Sequence, residues 1–526
     1  MLYVWLLLQE AYYPLDAGFE WTYAADGDTV TCTVQAKTKI KEFECFAVKE
    51  VRKGSKTTYY FSSTGTGVMV HKVNDQVLPD PVVLFKFPLT LGQKWTIASS
   101  SSKAQCEVTA VDEEIEVPAG KFKCVRVRTE GKEGNATDQW LAEGVGMVKT
   151  VSERNGQKKT MELKKFEGPQ APVRTAAELR DAIAKSKPGS KILIAPGDYG
   201  GGHHFSKVRG LILAAADPKN PPVFESMQLS EIESVELHNL VFKGAKHNGL
   251  NIDDGGNYEK PSRKLVLKNL KISEVGDKGN QDGIKLSGID EFRIEGCAIE
   301  RWGTGGGSAI DMVGCHKGVI ENCTLKHPDP GGSTGIQMKG GCVDVTIRKC
   351  RFDNAGSRAV NIGGSTGLEY FRPPLKNPPH CEAKDIKVEG NIFTGSDAPI
   401  AFVGVDGAVV RFNTIHVPRR WAMRILQETT EAGFVPCRKG EFSNNVVVFR
   451  SNQWSEGGVN IGPNTEPKSF VFSKNFWFCL DAPAQSKPKL PTEEKDGVYG
   501  KDPLLGDDFK LKPNSPAQGY GADSLK

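Results

Sequence analysis

A repeat constrains this chain more than any other feature. Between Gly283 and Gly364 four segments superimpose without gaps: Gly283-Ile-Lys-Leu-Ser-Gly288, Ala309-Ile-Asp-Met-Val-Gly314, Gly335-Ile-Gln-Met-Lys-Gly340 and Ala359-Val-Asn-Ile-Gly-Gly364. Each reads small, apolar, variable, apolar, variable, glycine, the period-two pattern of a short strand closed by a turn. A second series follows in phase: Ile294-Glu-Gly-Cys-Ala-Ile299, Ile320-Glu-Asn-Cys-Thr-Leu325 and Ile347-Arg-Lys-Cys-Arg-Phe352. One such rung cannot bury its inward side chains alone, so the pattern predicts rungs stacked into a parallel β-solenoid.

Further rungs are read at Leu250-Asn-Ile252, Ile400-Ala-Phe402, Met423-Arg-Ile425 and Val459-Asn-Ile461. Cys297, Cys323 and Cys350 hold the same place in successive rungs, which predicts a buried ladder of small side chains in preference to disulfides or metal ligands. Asn391, Asn413, Asn445 and Asn475 continue that position, where an inward amide bonds the backbone of neighbouring rungs. Cys315 and Cys342 share a turn position, and a disulfide there is an open alternative.

With 526 residues the chain is too long for one ordinary core, and its 57 glycines and 30 prolines suit turn-rich β structure. A net charge of +4 gives no footprint for nucleic acid. Residues 1–11 open with an apolar run that lacks a basic flank and is too short to span a membrane; it reads either as the remnant of a secretory signal or as a first strand. No later stretch is a membrane span, and no Cys-x-x-Cys or zinc-spaced histidine cluster occurs. His203 and His204 are read as structural in preference to metal-binding.

From 12 to 167 short alternating strands such as Thr29-Val-Thr-Cys-Thr-Val34 and Cys106-Glu-Val-Thr-Ala-Val111 predict an antiparallel β-sandwich or barrel with an accessory or binding role. Residues 168–174 form a linker by composition. A helix over 175–184, with Thr175 as N-cap and Glu178 three residues on, is placed to cover the open end of a solenoid that runs to 516, followed by a tail at 517–526. Insertions at Ser365 to Lys384 and Thr429 to Lys439 both follow the first strand of a rung, where they would wall a cleft.

The variable residue between the two apolar ones in each first strand should face outward. Stacked, that column reads Asn251, Lys285, Asp311, Gln337, Asn361, Ala401, Arg424 and Asn460, with neighbours about 4.8 Å apart. A second column two residues on holds Asp253, Ser287, Val313, Lys339, Gly363 and Val403. Crowded ionisable groups between loops make this strip the candidate site. Trp302, Trp421 and Trp454 each precede a first strand; exposed they would stack on sugars, buried they would anchor loops.

From Lys191-Ile-Leu-Ile-Ala-Pro-Gly-Asp-Tyr199 to the closing Phe509-Lys-Leu-Lys-Pro-Asn-Ser-Pro516, the chain resembles the pectate-lyase-like right-handed parallel β-helix superfamily. Lys339-Gly-Gly and the rung after it are similar to the region of chondroitinase B and alginate lyases that carries their catalytic Lys and Arg. The resemblance implies a secreted bacterial polysaccharide lyase, periplasmic or at the cell surface, monomeric, and cleaving an acidic polysaccharide by β-elimination. It implies Lys339 as base, packed near Lys285 and Asp311. Gln337, Asn361, Arg358, Arg424 and Asn251 would bind substrate, with Trp302 and Trp421 as platforms and Tyr370 or Arg372 as acid or carboxylate clamp. Asn361 stands about where that family has its Arg. Calcium is the cofactor such a resemblance raises, and the carboxylates those lyases use for it have no counterpart at Ser333-Thr-Gly335.

Two alternatives stand beside this. A glycoside hydrolase would use Asp311 with Asp253, two rungs and about 9–10 Å away, while Asn280-Gln-Asp-Gly283 is faintly similar to a polygalacturonase motif. A non-catalytic glycan-binding or surface protein would present a flat face in place of a groove.

Overall fold

A computed structural model describes residues 12–15, 17–98, 103–168 and 172–525; the opening run 1–11 and linker residues 169–171 lie outside them. The chain divides into two compact units, the first ending at Ala171 and the second beginning at Pro172.

In the first unit twelve antiparallel strands form one strongly curled sheet. Its first strand, Glu20–Ala25, pairs with both Asp28–Ile40 and the unit's last strand, Gln157–Glu167, so the unit's first and last strands are neighbours in the middle of the sheet. Trp21, Tyr23 and Ala25 alternate inward and are buried with Val30, Val34, Phe61 and Val108.

The second unit is a parallel β-helix of three sheets, with eleven, ten and eleven strands. A rung such as Ser308–Val313, His316–Glu321, Thr324–Lys326 pairs in register with Thr334–Lys339, Cys342–Arg348, Arg351–Asp353 on the next. Inward columns are fully buried: Leu250, Ile284, Ile310, Ile336, Val360, Ile400 and Met423 stack on one another. Burying a side chain of this size stabilises by about 1.5–3 kcal/mol each, so the stack carries much of the hydrophobic driving force.

The capping helix spans Ala176–Ala184. Thr175 Oγ1 accepts from the Glu178 amide at 3.1 Å, Glu178 Oε2 accepts from the Arg174 amide at 2.7 Å, and Leu179 and Ile183 turn to the core.

Between the second and third strands of each rung one residue takes a left-handed conformation: Asn269, Gly296, Asn322, Lys349, Gly390 and Asn444. Immediately after it comes the ladder. Cys350 donates its amide to Asn391 Oδ1 (2.9 Å), and the same bond recurs from Asn391 to Asn413, from Asn413 to Asn445 and from Asn445 to Asn475 at 2.9–3.0 Å. Glu494 ends the series by accepting from the Asn475 amide and side chain. All twelve cysteines are free thiols, which settles the Cys315 and Cys342 alternative: the Cys315 amide meets the Cys342 sulfur at 3.3 Å without a bond between the sulfurs.

Candidate functional site

The ten-stranded sheet carries the strip. Its pairing places Asn251, Lys285, Asp311, Gln337, Asn361, Ala401, Arg424 and Asn460 in one column, in the expected order. The fourth repeat, however, is not gapless: Gln337 pairs with Asn361 but Met338 pairs with Gly363, so one extra residue bulges. Gly363 has φ +97, and a Cβ there would collide with the Val403 carbonyl, so this bulge needs glycine. Lys339 consequently faces Gly364, where a Cβ would stand 2.9 Å from Gln337 Nε2 and 3.4 Å from Lys339 Cβ.

At the centre Lys285 Nζ donates to Asp311 Oδ2 at 2.6 Å and to Asp282 Oδ2 at 3.2 Å. Lys339 Nζ approaches the other oxygen of Asp311, Oδ1, at 3.5 Å, within ion-pair range but without hydrogen-bond geometry. Asp311 Oδ1 is therefore a buried acceptor that no donor satisfies. The two carboxylates lie beneath the surface, with side chains 3% and 4% exposed, and the two lysines rise from them at 29% and 22%. Lys285 and Lys339 are thus near one another, as expected, with Asp311 between them.

The local electrostatics follow from burial and neighbours. Burial, then Asp311 beside it, pushes the Asp282 carboxyl up to about 6, against the pull of Lys285. Burial alone would lower the Lys285 ammonium, but Asp311 and Asp282 more than offset it and hold the group above its ordinary range. Asp282 is held in turn by the Ser308 amide on Oδ1 at 2.8 Å.

Loops stand on both edges of the strip. Before the strands, glycine-rich turns stack, with Gly303 donating to the Gln281 carbonyl and Gly332 to the Thr304 carbonyl. After the strands, the insertion following Gly364 runs back across three rungs: the Arg372 amide bonds Gly340, and its Nε meets Asp254 Oδ2 at 2.6 Å while its guanidinium covers the Tyr258 ring. Fully buried Glu382 accepts from the Gly340 amide, from Thr366 and from Thr429, tying both insertions to the turn that follows Lys339. Turns and inserted loops therefore border the strip on both edges.

Other expected residues fall differently. Arg372 is buried against Asp254 and cannot clamp a ligand. Asn361 is also buried, accepting from Arg358 Nη1 and donating to the Gly363 carbonyl. Trp302 and Trp421 are buried loop anchors, the first edge-on to His327, the second under Arg420 and Arg424. Trp454 stacks on Phe449. Arg358 pairs with Glu428 at 2.9 Å, Arg424 bonds Asn460, and Asn251 bonds Asp253. Tyr370 is half exposed in the inserted loop. Asp282, Glu382 and Glu428 were missed; only Asp282 carried a signal, inside Asn280-Gln-Asp-Gly283.

Among the described residues no group of three or more His, Cys, Asp or Glu is arranged to hold a metal ion. Ser333-Thr334-Gly335 offers a calcium ion no carboxylate. His203 is buried, with Nε2 at the Tyr199 carbonyl.

Residues 228–415 match the family described as "Right handed beta helix region". No curated protein matches the chain. Among solved structures, a PL6 family polysaccharide lyase from Pseudopedobacter saltans is 14% identical, over 68% of this chain and 100% of that one, with TM-score 0.41. A mutant of a PL6 family alginate lyase is 11% identical over 66% of this chain, TM-score 0.42; the alignment spans 56% of that lyase's length. A family 28 exopolygalacturonase from Yersinia enterocolitica is 11% identical, over 72% of this chain and 75% of its own, TM-score 0.34. With three parallel sheets in register and the family match across their middle rungs, the second unit of this chain is a right-handed parallel β-helix.

Proposed function

We propose that the groove is the active site of a secreted polysaccharide lyase that cleaves a uronate-containing polymer by β-elimination. One observation carries the reading: two lysines flank a single buried carboxylate, one hydrogen-bonded to it and one not. Lys285, locked in its charged form, is suited to neutralise a uronate carboxylate and so stabilise the charge that develops as the C5 proton leaves. Lys339, with the longer contact and no hydrogen bond to Asp311, is our candidate for the base, which in its neutral form would accept the C5 proton. The C5–H and C4–O bonds break, a C4–C5 double bond forms, and the departing O4 takes a proton from an acid of the inserted loop such as Tyr370.

A second reading has its own support. Asp282 sits near neutrality, and its oxygen and that of Asp311 are no more than about 6 Å apart, since one ammonium reaches both at 3.2 and 2.6 Å. That upper bound is compatible with the carboxylate pair of a retaining glycoside hydrolase, but both lie beneath the lysines, which favours elimination.

The purified protein should be screened on alginate, pectate, chondroitin and ulvan, following reducing ends and the ultraviolet absorbance of unsaturated uronate together. Both signals rising, and both lost in Lys339→Ala, is the expected result. Reducing ends without absorbance, lost in Asp282→Asn, would move the case to hydrolysis. Silence on all four would leave a binding or display protein.

A further inference from the structure

The first unit holds a site that the lyase reading does not use. Inside its curled sheet is a cavity of about 230 Å³. At about 30 Å³ per water this is room for roughly seven waters, too large for a packing defect in a close-packed interior. Five aromatic rings line it: Tyr13, Trp21, Tyr23, Tyr59 and Phe61. Tyr13 and Tyr59 flank Phe61 with ring centroids 5.7 and 5.9 Å away. Trp21 Nε1 and the Tyr23 hydroxyl are already spent on the carbonyls of Val145 and Met147, so these two side chains offer the cavity their rings.

Glu50 is the one acid in the lining, and no lysine or arginine lines the cavity. Arg52, two residues on along the same strand face, is taken by Asp28 at 3.2 Å. Among the described residues no ion pair involves Glu50. Its charge is nevertheless felt inside: burial and then Glu50 push the Cys32 thiol up to about 12.

Each common ligand class meets a different difficulty here. A purely apolar molecule would leave Glu50 desolvated without a partner. An anion would be repelled, and a hard metal ion would find one carboxylate where it needs six or more oxygens. An alkylated ammonium satisfies both halves of the lining. Its diffuse charge lies over aromatic faces, its methyl groups fill apolar space, and Glu50 supplies the counter-charge. We propose that this cavity binds a ligand bearing an alkylated ammonium group of the trimethylammonium class. The site is independent of the groove and stands whether or not the lyase reading does.

The test is calorimetric titration of the full chain with choline chloride and, in parallel, with 3,3-dimethyl-1-butanol, its neutral isostere with carbon in place of nitrogen. Saturable choline binding is expected, with the isostere at least about tenfold weaker, which corresponds to about 1.4 kcal/mol. Glu50→Gln, which keeps the volume, should weaken choline about tenfold and leave the isostere unchanged. Tyr59→Leu, should Glu50→Gln not fold, provides the second variant and should also weaken choline. No saturable heat with choline, equal binding of the isostere, or full affinity in a folded Glu50→Gln protein would each overturn the proposal.

Discussion

Lys285 Nζ lies 2.6 Å from Asp311 on the next rung and 3.2 Å from Asp282 in the turn before its own strand, so one ammonium neutralises two carboxylates. The three residues behave as one charged unit sunk into the sheet, and Lys339 completes it from the far side of Asp311.

Removing Lys285 strands both acids. Lys285→Ala should destabilise the β-helix by about 3 kcal/mol, the low end for breaking a buried pair because the lysine itself is partly exposed. Adding Asp311→Ala to that variant should recover part of the loss, since it removes one of the stranded charges. Equilibrium unfolding of the single and double variants measures the coupling, and strictly additive losses would show that the three do not act as a unit.

The shifted Asp282 sets a pH dependence of known sign. Its carboxyl is pushed up to about 6 in the fold against about 3.9 unfolded, so the native state binds the extra proton between those values. Stability from this group therefore falls as pH rises from about 4 to about 6, by about 1.4 kcal/mol per pH unit, and is level above. Asp282→Asn should abolish that part of the slope when the melting of the β-helix is followed at pH 4.5, 5.5 and 7. An unchanged slope would mean that Asp282 ionises as an ordinary carboxylate. The opposite charge shift on Lys285 lies above this window.

How much of this could be read beforehand depends on the range of the interaction. Column order came from period two and from the rung length, both local, and the register of Asn251 through Asn460 follows from them. The bulge beside Lys339 is also local, yet Gly363 and Gly364 look in sequence like any turn. What could not be read is contact across distance. Arg372 reaches Asp254 118 residues away, and that single pairing turns an expected substrate clamp into a loop anchor. Asp282 was overlooked for a related reason: its environment is made by Asp311 and Lys285 of neighbouring positions in space, and a turn aspartate is ordinarily just a turn residue.

The asparagine ladder should be strongly directional in what it tolerates. Asn413 is fully buried, gives its amide to the Val388 carbonyl and to Asn445, and accepts from Asn391. Asn413→Ala leaves several of those groups unpaired at about 1–3 kcal/mol each. Asn413→Cys places there the residue that the upstream rungs use, and Cys350 in that position still accepts from the Cys323 amide at 3.4 Å. Chemical unfolding should rank wild type above Asn413→Cys above Asn413→Ala. A cysteine variant no better than alanine would show that the ladder needs the amide at every rung.

Arg372 is the pin of the groove's wall, and its loss should act on the wall before it acts on the fold. Its guanidinium is 10% exposed, holds Asp254 at 1% exposure, covers Tyr258 and donates to the Tyr370 carbonyl, so one side chain ties the inserted loop to a rung laid down far earlier. Arg372→Ala strands the Asp254 carboxylate, at about 3–5 kcal/mol for a buried pair broken from one side. Because the stranded group sits at the loop's footing and the stacked core beneath is untouched, the cost should appear as local opening. Limited proteolysis should cut within 365–382 at least about tenfold faster than in the wild type, a factor that needs only about 1.4 kcal/mol of the loss. The main unfolding transition should move far less. Arg372→Lys keeps a charge but loses the fork and the flat stacking surface, so it should fall between the two. On whichever polymer the screen identifies, the expected kinetic signature of Arg372→Ala is a lowered kcat together with a raised KM, because Arg372 holds the backbone of Tyr370, the proposed acid, as well as the wall. A loop as protease-resistant as before would show that Glu382 and its threonine contacts hold the wall without Arg372.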